Sequence, residues 1–88
     1  MAAPRLSVSV ISPERTLFEG DADMVVAPAW DGEVGVLRGH APMLVLLGDG
    51  ELRVTAPGGG ERRFHVSGGF LQVADDVVTV LSEQAEAA

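Results

Sequence analysis

Cysteine and lysine are both missing from this chain of 88 residues, and tyrosine is missing too. Without cysteine there is no disulfide framework and no thiolate metal site, a composition suited to a reducing compartment. Without lysine there is no phosphate-loop lysine, no Schiff-base lysine and no swinging lipoyl or biotinyl arm. Aromatics are scarce, with one tryptophan and three phenylalanines. Long apolar runs are scarce as well: the longest, Ala41 to Leu47, is far short of the roughly 20 residues that span a bilayer as a helix. The start, Met1-Ala2-Ala3-Pro4-Arg5, is not followed by an apolar stretch, so no secretory signal is expected. Membrane association is therefore expected only indirectly, through a partner.

What is present is acidic and apolar. Thirteen carboxylates stand against six basic residues, all arginine, for a formal net charge of −7. Such a surface repels nucleic acid at long range and attracts basic partners. The hydrophobic share of 47% is ample for a core, and a chain of this length is read as one domain, residues 1–88.

Period-two alternation dominates. Leu6, Val8 and Val10 alternate with Arg5, Ser7 and Ser9 until Ser12-Pro13-Glu14-Arg15 interrupts. Thr16 to Glu19 is a second short strand, with Gly20-Asp21 as a turn, and Met24 to Ala27 a third, closed by Pro28. Asp31-Gly32 is a tight-turn signal before Val34 to Leu37. Gly39-His40-Ala41-Pro42 is a loop, Met43 to Leu47 a short apolar run, and Gly48-Asp49-Gly50 a further turn. Leu52 and Val54 then alternate with Glu51, Arg53 and Thr55 up to a hairpin tip, Pro57-Gly58-Gly59-Gly60, and the chain returns through Phe64 and Val66. Gly68-Gly69 bends into Phe70 to Val73, and Asp75-Asp76 turns into Val77 to Leu81, apolar on both faces and so expected to be central. Only Ser82 to Ala88 is helix-friendly, and seven residues barely hold a helix alone. The pattern predicts an all-β fold of two packed sheets, a sandwich or barrel without substantial helix.

Chemistry finds little footing. His65 and Ser67 share a strand face, yet Val66-Ser67-Gly68-Gly69 lacks the leading glycine of a nucleophile elbow and no helix follows it. His40 and His65 stand on separate elements without the spacing of a metal site. Gly58-Gly59-Gly60 is followed by a strand, where a phosphate loop needs a helix N-terminus. No catalytic residue, metal ligand or cofactor site is assigned. The features placed for contact are loops: Asp31-Gly32-Glu33 projects carboxylates, and Arg38-Gly39-His40-Ala41-Pro42 carries a cation. Trp30 either anchors an interface or closes one end of the core.

These contact features fall inside a longer match. Asp31-Gly32-Glu33-Val34-Gly35-Val36-Leu37-Arg38-Gly39-His40-Ala41-Pro42-Met43-Leu44 resembles the signature of the epsilon subunit of bacterial F-type ATP synthase. Ser12-Pro13-Glu14-Arg15 with Leu17-Phe18-Glu19-Gly20, Val66 to Val73 and Val78 to Leu81 agree in order and spacing, so the resemblance covers nearly the whole chain. It implies a flattened β-sandwich of about ten short strands, monomeric within its complex. It also implies a non-catalytic place in the rotor's central stalk, on the cytoplasmic face of the membrane, docked on the gamma subunit and on the polar loops of the c-ring. Carried over by residue, Asp31, Gly32 and Glu33 would face the ring. Arg38, Gly39, His40, Ala41, Pro42 and Met43 would lie beside gamma and the ring.

There are two departures. The family commonly has proline before Gly39, where this chain has Arg38. Long members continue after a segment like Leu81 to Ala88 into a two-helix domain that brakes rotation and in some binds ATP, and those residues are not in this sequence. The competing reading is a stand-alone β-sandwich that binds a small molecule, sugar or another protein, for which so few aromatics are a poor lining.

Overall fold

A computed structural model describes residues 5–88; Met1 to Pro4, at the expected unprocessed start, lie outside the described residues. Ten strands follow one another: β1 (Leu6–Ile11), β2 (Thr16–Ala22), β3 (Met24–Ala29), β4 (Gly32–Leu37), β5 (Met43–Leu46), β6 (Asp49–Thr55), β7 (Glu61–Ser67), β8 (Phe70–Ala74), β9 (Val77–Leu81) and β10 (Gln84–Ala87). They form two five-stranded sheets, the first in the order β2-β1-β9-β8-β5 and the second in the order β10-β7-β6-β3-β4. The all-β sandwich expected from the alternation is the fold found.

Short hairpins account for most of the antiparallel pairing. One pair cannot arise that way: β1 and β9 run parallel, with Val8 opposite Val78 and Val10 opposite Val80, because the whole chain between them has to return to the same side. As expected, β9 is interior, flanked by β1 and β8. The inward positions Leu6, Val8, Val10, Val25, Val36, Leu52, Val54, Phe64, Val66, Leu71, Val73, Val78 and Val80 are all at most 1% exposed. Valine dominates because its branched Cβ is stiff and packs well against a pleated neighbour.

Four local expectations are corrected. The Gly20-Asp21 turn is not formed, since β2 continues to Ala22 against Leu6 of β1. Asp49 and Gly50 are likewise ladder residues, opposite Ser67 and Val66. Pro28 does not close β3, which continues to Ala29 with Pro28 opposite Glu33 of β4. Its carbonyl accepts the Gly48 N–H at 2.7 Å, so its missing donor lies on the side away from β4, where pairing with β6 has stopped at Val26. The helix-friendly tail forms β10, antiparallel to β7. Seven residues cannot sustain a helix, whereas the free edge of β7 supplies backbone partners and the chain lays Ala85 against the core.

Ser82 makes the crossing from β9 to β10. Only 4% exposed, its hydroxyl accepts the Ser67 N–H at 3.3 Å and donates to the Gln84 carbonyl at 2.6 Å. Gly69 makes the opposite approach possible: at φ +95° a Cβ there would stand 1.9 Å from the Leu81 carbonyl oxygen, so only glycine fits.

Candidate docking surfaces

The outer faces of the two sheets differ in chemistry. On the second sheet, outward positions bring charges together, within β7 and across strands. His65 Nε2 is 3.1 Å from Asp49, Arg63 Nε is 2.7 Å from Glu61, and Arg53 is 3.4 Å from Glu33. Glu61 beside it raises the Arg63 guanidinium above its ordinary value, through the hydrogen bond first and its charge second. This is a solvated face. His65 is exposed here and lies against Asp49.

On the first sheet, charge is confined to the edge strand β2, where Glu19 and Asp21 stand opposite Ser9 and Ser7. Across β5, β8, β9 and β1 the register aligns Leu46, Phe70, Leu81 and Ile11 in one row and Leu44, Gln72, Thr79 and Ser9 in the next. A third row holds Ala74, Val77 and Ser7. None of these outward residues is charged, in a chain that is 22% charged. Leu44 and Leu46 are 69% and 63% exposed. A single exposed leucine needs no explanation, but a four-strand face without a charge is a candidate contact surface.

The two expected contact segments lie at opposite ends of β4. Asp31, Gly32 and Glu33 occupy the β3–β4 turn and the start of β4, all exposed. Arg38, Gly39, Ala41 and Pro42 are exposed and His40 half-buried in the loop after it, while Met43 turns inward against the core. The rise of an extended strand puts Gly32 and Leu37 roughly 17 Å apart, so the two segments lie well separated along the surface. Trp30 is 70% exposed beside Asp31, which excludes the core-closing alternative. Its backbone N–H donates to the Leu46 carbonyl at 3.0 Å, so this turn adjoins the apolar row.

Two contributors escaped sequence reasoning. The outward row was signalled by the apolar run Met43 to Leu47 and by the two apolar faces of Val77 to Leu81. Asp76, whose Oδ1 accepts the Gly39 N–H at 2.7 Å, had no signal, because the two residues are 37 positions apart.

The family model for the beta-sandwich domain of the ATP synthase delta/epsilon chain matches residues 5–88. The chain belongs to that family. Among curated relatives of this delta/epsilon sandwich, the ATP synthase epsilon chain of Rhodopirellula baltica is 54% identical over 76 residues, covering 86% of this chain and 59% of that protein. The epsilon chain of Granulibacter bethesdensis is 47% identical over 79 residues, covering 90% and 58%. The chain thus spans little more than half the length of these relatives. A chain in the mitochondrial ATP synthase OSCP/F1/c-ring structure of Euglena gracilis superposes with a TM-score of 0.89 at 26% identity, over 99% of this chain and 56% of that one. A chain of the Tetrahymena thermophila central stalk and c-ring shares the fold, with a TM-score of 0.76 at 14% identity over 98% and 69%.

Proposed function

We propose that this delta/epsilon sandwich is a non-catalytic rotor subunit of a proton-translocating F-type ATP synthase. The uncharged outer face of its strands β5, β8, β9 and β1 docks on the gamma subunit, and its Asp31-Gly32-Glu33 turn meets the polar loops of the c-ring. The loop from Arg38 to Met43 borders the gamma contact at the far end of β4. The observation that carries the reading is the charge-free outer face of β5, β8, β9 and β1 in an otherwise acidic domain. Burial of apolar surface supplies affinity there at about 25 cal/mol per Å², while the acidic turn orients the domain on a basic partner. Two closely packed sheets resist deformation, which suits an element that passes torque between two bodies. Within the complex one copy sits peripherally on the cytoplasmic side of the membrane, and proton flow through the ring is coupled to ATP synthesis without a reacting group from this chain.

The test is co-expression with the gamma subunit of the same source, with complex mass read by size exclusion and light scattering. A stable one-to-one complex supports the stalk role. A monomer that ignores gamma would mean that the sandwich serves another partner, and both contact assignments would be withdrawn.

A further inference from the structure

The segment between Leu37 and Met43 has little to hold it. Leu37 is still fixed by β3, opposite Met24, and Met43 packs against the core. Between them the His40 N–H donates to the Leu37 carbonyl at 3.2 Å, closing a four-residue turn, and the His40 ring bonds the adjacent Ala41 carbonyl at 2.7 Å. Gly39 is the third residue of that turn, with φ +82°, the value a type II turn requires there. Its N–H takes no part in the turn's own hydrogen bond and is left to water or another acceptor. Asp76 Oδ1 provides it at 2.7 Å. Among the described residues this is the one hydrogen bond found from Arg38–Pro42 to another part of the chain.

The acceptor stands on a firm base. Asp75 and Asp76 form the two-residue connection between β8 and β9 at φ +50° and +62°, the left-handed pair of a type I′ turn. The Asp76 carbonyl accepts the Ser7 N–H of β1 at 2.9 Å, which ties the turn to the middle of the first sheet. Glycine is the favoured second residue of such a turn, because a side chain there is strained. An aspartate is therefore the less comfortable choice for the turn itself, and its carboxylate is engaged with the loop opposite.

We propose that Asp76 is a positioning residue, whose carboxylate holds the Leu37–His40 turn in its type II form and so sets the Arg38–Met43 loop against the partner. The role rests on the reading of that loop as a gamma-side contact. Proline is favoured at the second position of a type II turn, and extended Leu37 suits a residue that precedes proline. Arg38→Pro is thus an independent way to lock the same turn through the chain rather than through a hydrogen bond.

The test combines solvent exchange of the Gly39 N–H by NMR with titration of the gamma subunit, on the full chain. Asp76→Gly keeps or raises the melting temperature, since glycine adopts the left-handed backbone freely. It speeds Gly39 N–H exchange about tenfold, the scale of a lost charge-assisted hydrogen bond. The amide proton also loses its downfield shift, and affinity for gamma falls several-fold. Asp76→Asn, which keeps an acceptor oxygen and tolerates this backbone, restores both. Arg38→Pro in the Asp76→Gly background restores slow exchange of the His40 N–H, which makes the turn's own hydrogen bond, without restoring the Gly39 shift. Unchanged Gly39 exchange in Asp76→Gly would overturn the proposal, and so would a loosened loop with undiminished affinity. If the unaltered chain fails to bind gamma, the failure lies with the proposed function, and Gly39 exchange still decides whether Asp76 holds the turn.

Discussion

Phe70 stands directly opposite Leu81 on the outer face of the first sheet, two apolar side chains that point away from the core and are nonetheless only half exposed. Leu46 extends this row on one side and Ile11 on the other, so it crosses four strands. Within the domain nothing requires this. Serine and threonine occupy the equivalent outward positions on the neighbouring row, as Ser9 and Thr79, and satisfy the fold equally well.

Leu46→Asp places a charge in that row without touching the core. The melting temperature is expected to stay within about 2–4 °C, because Leu46 is 63% exposed and surface substitutions shift stability by about 0.5 kcal/mol or less. Affinity for gamma, measured by calorimetric titration, is expected to fall at least tenfold, as a buried leucine contributes about 1.5–3 kcal/mol. An undiminished affinity would remove the row from the interface.

Glu33→Lys reverses the charge at the acidic turn. Its pair with Arg53 spans 3.4 Å between exposed side chains, so the fold loses no more than ~1 kcal/mol. ATP-driven proton pumping in reconstituted vesicles is expected to weaken at normal gamma binding. Pumping equal to that of the unaltered chain would sink the ring-facing role of Glu33.

Arg62→Ala tests a contact that serves stability alone. The Arg62 guanidinium lies 5.5 Å from the Phe18 ring centroid and 5.7 Å from that of Phe64, over a pair of rings packed edge to face at 6.2 Å. Removing it is expected to cost about 0.5–1 kcal/mol in chemical denaturation, with gamma affinity unchanged.

Ser82→Ala leaves the Ser67 N–H without its side-chain acceptor in a buried place, at a cost of about 1–3 kcal/mol. The loss is expected to show first as faster hydrogen exchange along β10 and its partner β7, because the hydroxyl joins those strands. Uniform exchange change across both sheets would contradict that local role.

Much of this was legible in the chain. Alternation of Leu6, Val8 and Val10 or of Phe64 and Val66 identifies which side faces inward, since the strand repeat is two residues and half the ladder is buried. Asp31-Gly32 and Pro57 to Gly60 mark hairpin tips by their backbone freedom. Less was legible where a distant partner decides. Pro28 reads as a stop until the end of the β3–β6 pairing at Val26 is known. Gln84 to Ala87 reads as helix-friendly until the free edge of β7 is known. For the contact surfaces, the acidic turn was legible as a motif, but the outward row needs the register of four strands before its residues come into line. Asp76 and Gly39 meet only because β8, β9 and β5 are neighbours.

The most direct test is methyl NMR of the chain titrated with its gamma subunit. Signals of Leu44, Leu46, Leu81, Ile11 and Val77 are expected to shift or broaden on binding, while the imidazole of His65, on the charged outer face of the second sheet, stays unmoved. Perturbation centred on His65 with the apolar row silent would place gamma on the wrong sheet and contradict the docking proposed for this domain.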